Sequence, residues 1–249
     1  MEDKNIYEES FIVKQHECDC NSCLKVSSLM AHCQNISIDH CDSLGLDSEI
    51  YKKTHTAFLL AKASVEMYSP IRAGEKITIR TMPSLPKRAI YNRYTVFINE
   101  RNEIAAAQDS KWVLVDTQTR RILRNPPEGF LFPIDADVTE QHNFAIPKVQ
   151  DALQVSTERV TYSRTDSNGH LNNTRYADII LDALPLSSTV EKKLSKLVID
   201  YRSEARMGES VTIFTKRLEE EQQEESVFYV SGQNENGKIC FEAVAKFKG

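Results

Sequence analysis

The chain has no apolar run approaching the length of a membrane-spanning helix, and it does not open on a charged-then-apolar leader. The first absence argues against a spanning helix and the second against export. Basic residues are not in excess either. Thirty-one Lys and Arg against 36 Asp and Glu give a formal charge of -5, so the surface as a whole is not built for nucleic acid. An acidic protein partner would still need only a local basic patch. Six cysteines (Cys18, Cys20, Cys23, Cys33, Cys41, Cys240) are present, five of them near the start. Without an export signal they read as reduced thiols rather than a disulfide framework, and the expected compartment is the cytoplasm. The run His16-x-Cys18-x-Cys20-x-x-Cys23 lacks paired CxxC units and an evident further ligand, so no metal is expected. What is present is an ordinary globular balance, 41% hydrophobic and 27% charged over 249 residues. That is enough for one large or two small domains and argues against disorder.

The organising feature is an internal echo. Arg72-Ala-Gly-Glu-Lys-Ile-Thr-Ile79 returns as Arg206-Met-Gly-Glu-Ser-Val-Thr-Ile213, an offset of 134, and Asp19-Cys-Asn-Ser-Cys-Leu24 returns more faintly as Asp166-Ser-Asn-Gly-His-Leu171, an offset of 147. The smaller later offset means a shorter connection in the second copy. In the first copy Val26, Leu29, Met30, Cys33, Ser37, His40, Cys41 and Leu44 recur at three- and four-residue steps, predicting an amphipathic helix. In the second, Tyr176, Ile179, Ile180, Ala183 and Leu184 do the same until Pro185, which lacks an amide donor and stops the helix. Alternation then predicts strands through Ile77 and Ile79, Tyr94 to Ile98, Trp112 and Leu114, Leu197 to Tyr201, Val211 and Ile213, and Ile239 to Phe247. Asn99 to Asn102 and Asn234 to Gly237 read as turns, and Glu219 to Glu225 as a solvated hairpin tip.

Each copy is therefore a strand, a helix and several antiparallel strands. This predicts an α+β chain of two tandem hot-dog units, each an antiparallel sheet wrapped around a long helix, forming an intramolecular pseudo-dimer. The expected layout is an N-terminal unit over 1–130, a proline-bearing linker over 131–150, and a C-terminal unit over 151–249. The fused pair supplies what single hot dogs obtain by dimerising, so a monomer or a homodimer is expected.

Ser163 to Asn173 carries the chemistry. Asp166, Asn168 and His170 stand at alternate positions and can converge if the segment stays extended, while Gly169 permits an unusual turn. Asn172 or Asn173 can cap the helix that follows, whose free amides can steady a developing oxyanion. Taken singly, Asp166 and Asn168 are ordinary turn formers, His170 an ordinary surface histidine and Glu204 a solvated strand residue. Their combination is what points to catalysis.

The pattern Asp-x-Asn-x-His-x-Asn-Asn with Tyr176 after it resembles that of the plant and bacterial fatty acyl-ACP thioesterases. Tyr201-Arg202-Ser203-Glu204 sits where that family carries a functional glutamate, about 35 residues on. Plant members often have cysteine next, and here it is Ala205, which removes a papain-like reading. The resemblance extends to Ser28–Gln34 and His40, and from Trp112–Val115 through Thr119-Arg120-Arg121. It implies hydrolysis of an acyl thioester on acyl carrier protein, with Asp166, Asn168, His170 and Glu204 catalytic and no cofactor. Two routes are implied. Glu204 or His170 activates water, or Asp166 attacks to form a mixed anhydride; two carboxylates and a histidine favour the first. The resemblance also places the acyl pocket in the first half, where Met30, Phe58, Met67, Tyr68 and Trp112 are candidate lining residues, each alone as readily plain core. Arg120-Arg121-x-x-Arg124, Lys87-Arg88 and Lys192-Lys193-x-x-Lys196 are candidate contacts for the acidic carrier.

Asp166, Gly169, His170, Asn172 and Asn173 also fit the pattern of single-hot-dog acyl-CoA thioesterases, the nearest alternative. A hot-dog dehydratase and a non-catalytic acyl-binding protein are the others. Asp19-x-Asn21-x-Cys23 reads as a decayed second site.

Overall fold

The computed structural model describes residues 4–136, 142–218 and 225–249. Most of the acidic run at 219–225, read as a hairpin tip, and part of the 131–150 segment lie outside them. The elements run β1 (Tyr7–Ile12), α1 (Val26–Ser43), α2 (Ser48–Thr54), β2 (Thr56–Met67), β3 (Lys76–Pro83), β4 (Ile90–Ile98) and β5 (Ile104–Asp116). They continue with β6 (Leu153–Arg159), α3 (Arg175–Asp182), α4 (Leu186–Thr189), β7 (Lys193–Tyr201), β8 (Ser210–Leu218), β9 (Glu225–Asn234) and β10 (Ile239–Lys248).

The ten strands form one sheet in the order β1-β3-β4-β5-β2-β7-β10-β9-β8-β6, with every pair antiparallel. Read outward from the middle, the order of the first five strands repeats in the second five. The chain is two tandem hot-dog units fused edge to edge along β2 and β7.

The repeat is visible at the seam. Lys62 of β2 lies opposite Asp200 of β7, and Glu66 opposite Lys196. Their side chains form two ion pairs, at 2.9 Å and 2.7 Å, each the image of the other after an exchange of units 134 residues apart. The turns repeat as well. Asn99 Oδ1 accepts the amides of Arg101 and Glu103, and Asn234 Oδ1 those of Asn236 and Lys238.

The helices sit inside the curl of the sheet. α1 buries Val26, Leu29, Met30, Cys33, Ile36 and His40, spaced at three and four residues so that one face turns inward. α3 buries Tyr176, Ala177, Ile179 and Ile180. The two helices pack on each other and share one core with Ile77, Phe97, Leu197, Ile213, Phe241 and Phe247. Each large side chain of this kind contributes about 1.5–3 kcal/mol when fully buried.

The units differ in how much helix they hold. α1 has 18 residues against 8 in α3, and α2 has 7 against 4 in α4. This is where the thirteen-residue difference between the two offsets is spent. The added segment in the first unit covers a second apolar cluster of Leu46, Tyr91, Leu114 and Phe130, with Tyr51, Phe58, Trp112 and Phe132 around it. Beside it Arg93 is buried and donates to His40 Nδ1 (3.1 Å) and Thr81 Oγ1 (3.2 Å). Because His40 Nδ1 accepts, its Nε2–H faces the Lys4 carbonyl at 3.1 Å and the ring is neutral. Burial, and then the Arg93 charge, push His40 down to about 4.

Candidate active site

β6 leads through a 3-10 turn at Tyr162–Arg164 into the loop expected to carry chemistry. This segment does not stay extended. Thr165 and Leu171 form an antiparallel bridge, closing residues 166–170 into a tight loop. Asp166 N–H donates to the His170 carbonyl (2.8 Å) and Gly169 N–H to the Asp166 carbonyl (3.0 Å). Asp166 Oδ1 accepts the amides of Asn168 (2.8 Å) and His170 (3.2 Å). One carboxylate oxygen is thus committed to shaping the loop. Gly169 has φ +74, the left-handed region where a Cβ is disfavoured.

Glu204 arrives from a different direction. Past the end of β7, the amides of Arg202 and Ser203 both donate to the Cys240 carbonyl, at 2.8 and 3.1 Å. The chain then runs beside the loop, with Leu171 N–H on the Ala205 carbonyl (2.8 Å) and Met207 N–H on the Gly169 carbonyl (2.9 Å). His170 and Arg206 form a bridge. The outcome is that His170 Nε2 and Glu204 Oε2 stand 3.4 Å apart, with side chains 24% and 46% exposed. The pair is fixed by backbone on both sides and open to a substrate.

Of the four expected catalytic residues, the fold brings His170 and Glu204 together and sets Asp166 behind them as a brace. Asn168 is exposed at the loop tip. Asn172 Oδ1 accepts the amide and the hydroxyl of Thr174, at 3.0 and 2.8 Å, ordering the approach to α3.

Two tyrosines, one left without a role by the motif and one read only as a strand residue, cross behind this pair. Tyr201 on β7 donates its hydroxyl to the Asn173 carbonyl at 3.0 Å. Tyr176 on α3 is buried beside it. Their rings meet edge to face with centroids 5.3 Å apart. Burial holds the Tyr176 phenol above its ordinary range, with Cys240, Glu204 and Asp166 adding and the Ala205 amide opposing. Burial, then Tyr176, raises Tyr201 likewise. Both phenols therefore stay protonated, as the Tyr201 donor role requires. The motif-adjacent spacing of Tyr176 and the position of Tyr201 three residues before Glu204 were the available signals.

The first unit repeats this loop bond for bond. Asp19 N–H donates to the Cys23 carbonyl (2.8 Å), Leu24 N–H to the Ile71 carbonyl (2.8 Å), and Asp19 Oδ1 accepts the amides of Asn21 and Cys23, at 2.8 and 3.0 Å. Ser22 takes the left-handed place of Gly169, at φ +58. Cys23 stands where His170 stands, and Pro70 where Glu204 stands. The loop's bonds are the same, and cysteine and proline stand where the second unit has its imidazole and carboxylate.

Two family models account for nearly the whole chain: the acyl-ACP thioesterase N-terminal domain over residues 4–130 and the acyl-ACP thioesterase C-terminal domain over residues 148–249. The chain belongs to the acyl-ACP thioesterase family. Among curated relatives, it is 26% identical over 240 residues to oleoyl-acyl carrier protein thioesterase 2, chloroplastic, of Arabidopsis thaliana. That match takes in 86% of this chain but 64% of the relative's length. A putative oleoyl thioesterase from Lactobacillus plantarum superposes with a TM-score of 0.85 at 20% identity, covering 98% of this chain and 96% of that one. The 12:0-ACP thioesterase from Umbellularia californica gives 0.83 at 19%, covering 98% and 94%. These superpositions establish the fold.

In this family member the five candidate lining residues do not share one environment. Met30 is buried in the main core, with Met67 and Trp112 partly buried against it. Phe58 belongs to the second cluster, its ring 4.9 Å from that of Tyr91 and 6.0 Å from that of Phe130, and Trp112 touches both clusters. Tyr68 is 55% exposed, with its hydroxyl on Glu66 Oε2 at 3.1 Å. Tyr51, Tyr91, Phe130 and Phe132 extend the aromatic set. Their positions on α2, β4 and the segment after β5 gave no sequence signal, because nothing local joins them.

Proposed function

We propose that this chain hydrolyses fatty acyl thioesters carried on acyl carrier protein, releasing the free acid and the carrier thiol. The observation that carries the reading is the 3.4 Å His170–Glu204 pair, assembled from two separate segments and left accessible. In this reading the pair takes a proton from water as it attacks the thioester carbonyl. Asp166 holds the loop that sets the imidazole, and Asn168 offers its side-chain amide to the carbonyl oxygen, where negative charge develops. The thiolate leaves without a strong acid. The acyl chain enters the first unit, whose longer α1–α2 segment covers an aromatic cluster. There Met30, Phe58, Met67 and Trp112 line its path, with Tyr68 at the outside.

The test is a thiol-release assay over acyl-carrier and acyl-CoA substrates, with Asp166→Ala, His170→Ala and Glu204→Ala alongside. Release from the carrier substrates, abolished in His170→Ala and Glu204→Ala, is the expected result. Preference for CoA would move the assignment to the acyl-CoA class, and binding without release would remove catalysis. Hydroxylamine trapping of an acyl group on Asp166 would replace activated water by the anhydride route.

A further inference from the structure

The structure separates the candidate basic clusters by what their charges already do. Lys196 is paired with Glu66 at 2.7 Å, Lys192 donates to Ser226 Oγ at 2.9 Å, and Lys87 has a partner of its own. Arg120, Arg121 and Arg124 are exposed and, among the described residues, in no ion pair. The fold adds two more cations to them. α2 ends in exposed Lys52 and Lys53, likewise in no ion pair among the described residues. The turn bearing Arg120 and Arg121 is tied to that helix end: Thr117 N–H and Oγ1–H both donate to the His55 carbonyl, at 2.8 and 3.1 Å. The turn's own acid, Asp116, is committed inward to the amides of Gln118 and Thr119. Five cations thus gather on a chain whose formal charge is -5. Like charges held together repel, an effect that the C-terminal end of α2 offsets for Lys52 and Lys53 but not for Arg120, Arg121 and Arg124.

Symmetry locates the patch relative to the catalytic loop. In the first unit, Asn21 at the tip of the lapsed loop donates to the Val190 carbonyl of the second unit at 3.0 Å, and Cys23 feels the charge of Lys193. Moved back by the 134-residue offset that relates β2 to β7, Val190 and Lys193 become Thr56 and Leu59. Exchanging the units therefore sets Asn168 and His170 against the end of α2 and the start of β2. Lys52 and Lys53 lie on that rim. Leu59 and Ile122, 44% and 57% exposed, add apolar contact among the charges.

We propose that Lys52, Lys53, Arg120, Arg121 and Arg124, with Leu59 and Ile122 between them, form the docking surface for an acidic carrier protein that delivers its thioester to His170 and Glu204. This rests on the hydrolase reading above. A net-negative enzyme repels an acidic partner at long range, and a cationic rim beside the reaction site both speeds encounter and selects the productive orientation.

The experiment compares kcat/KM for one acyl chain on acyl carrier protein and on N-acetylcysteamine, a small uncharged thiol. The proteins are the wild type, Lys52→Glu/Lys53→Glu, Arg120→Glu/Arg121→Glu, the milder Arg120→Gln/Arg121→Gln, and Lys192→Glu/Lys193→Glu. The expected result is a carrier-to-small-substrate ratio lowered about 10-fold or more in each reversal at the patch, mostly through KM. It should fall less in the glutamine variant and hold at Lys192/Lys193. Added salt should lower the wild-type carrier rate more than the small-substrate rate. An unchanged ratio in the patch variants, or a fall that follows Lys192/Lys193 instead, overturns the docking surface while leaving the hydrolase reading intact. No thiol release by the wild type from either substrate overturns both.

Discussion

Removing one oxygen atom from Tyr201 asks whether the crossed tyrosines hold the proposed catalytic pair or merely fill the core. Tyr201→Phe keeps the ring and its edge-to-face contact with Tyr176 and deletes the 3.0 Å bond to the Asn173 carbonyl. A bond of this kind contributes about 1 kcal/mol net, and leaving the carbonyl short of its donor brings the loss to roughly 1–2 kcal/mol. For a chain of this size that is a fall in melting temperature of about 2–8 °C, so the variant remains folded at assay temperature. The kinetic effect is expected to be larger than the thermal one suggests. Asn173 lies just beyond the loop that carries His170, and Tyr201 ends β7 three residues before Glu204, so the lost bond is one of the ties that would fix His170 against Glu204. A displacement near 1 Å in such a pair costs about 100-fold. Carrier-substrate turnover should therefore fall roughly 10- to 100-fold in kcat, with KM little moved, because the aromatic surfaces and the docking rim are untouched. A Tyr201→Phe protein that melts lower but turns over at the wild-type kcat would refute the reasoning and leave the tyrosines as packing.

The lapsed loop gives the converse case. Asp19→Ala removes two backbone bonds from a loop without the acid–imidazole pair, so it should cost about 1 kcal/mol in urea unfolding with kcat unchanged, and a large loss of kcat would show that the first unit takes part in the reaction. Gly232→Ala would drive a methyl group into the Phe241 ring and to 2.8 Å from Val211 Cγ1, so overpacking should lower stability by roughly 1–3 kcal/mol, read as a shifted denaturant midpoint at constant m-value. His40 provides a pH signature. Its folded value of about 4 lies below the unfolded value near 6.5, so the unfolded chain binds the extra proton first and stability falls as pH drops from 6.5 to about 4, then levels off. The loss amounts to about 3 kcal/mol. His40→Gln keeps an acceptor for Arg93 and a donor for Lys4 but cannot titrate, and should flatten this part of the curve; parallel curves for the two proteins would remove His40 as the cause.

The tandem architecture was legible because duplication leaves its mark on sequence. The Arg72 and Arg206 echoes align β3 with β8, and the apolar steps from Val26 and from Tyr176 locate α1 and α3 to within a few residues. α3 stops at Asp182, short of the expected end at Pro185, which instead precedes α4 at its N-cap. β2 gave no such signal. Covered along the seam and shifted in register between Leu60 and Lys62, it has no clean alternation to read. Its pairing with β7 depends on residues 130 or more positions away, and so do the two ion pairs there. Asp166, Asn168, His170 and Glu204 could be named from the resemblance, but not the closed loop in which Asp166 Oδ1 accepts the amides of Asn168 and His170. The aromatic cluster of the first unit and the crossed tyrosines arise only when distant strands and helices meet, and no local pattern announces such meetings.

The continuous sheet has a consequence for the evolution of the chain. Two independent subunits encoded by one gene must stay identical, so any alteration to one reaction centre is imposed on its twin. Once β2 and β7 belong to a single polypeptide, that obligation ends. One half is free to carry cysteine and proline where the other carries histidine and glutamate, and longer helices, without altering its twin. The cost is that neither half can readily return to independence, because cutting the chain at the midpoint would leave β2 and β7 as bare edges, prone to join whatever strand they meet.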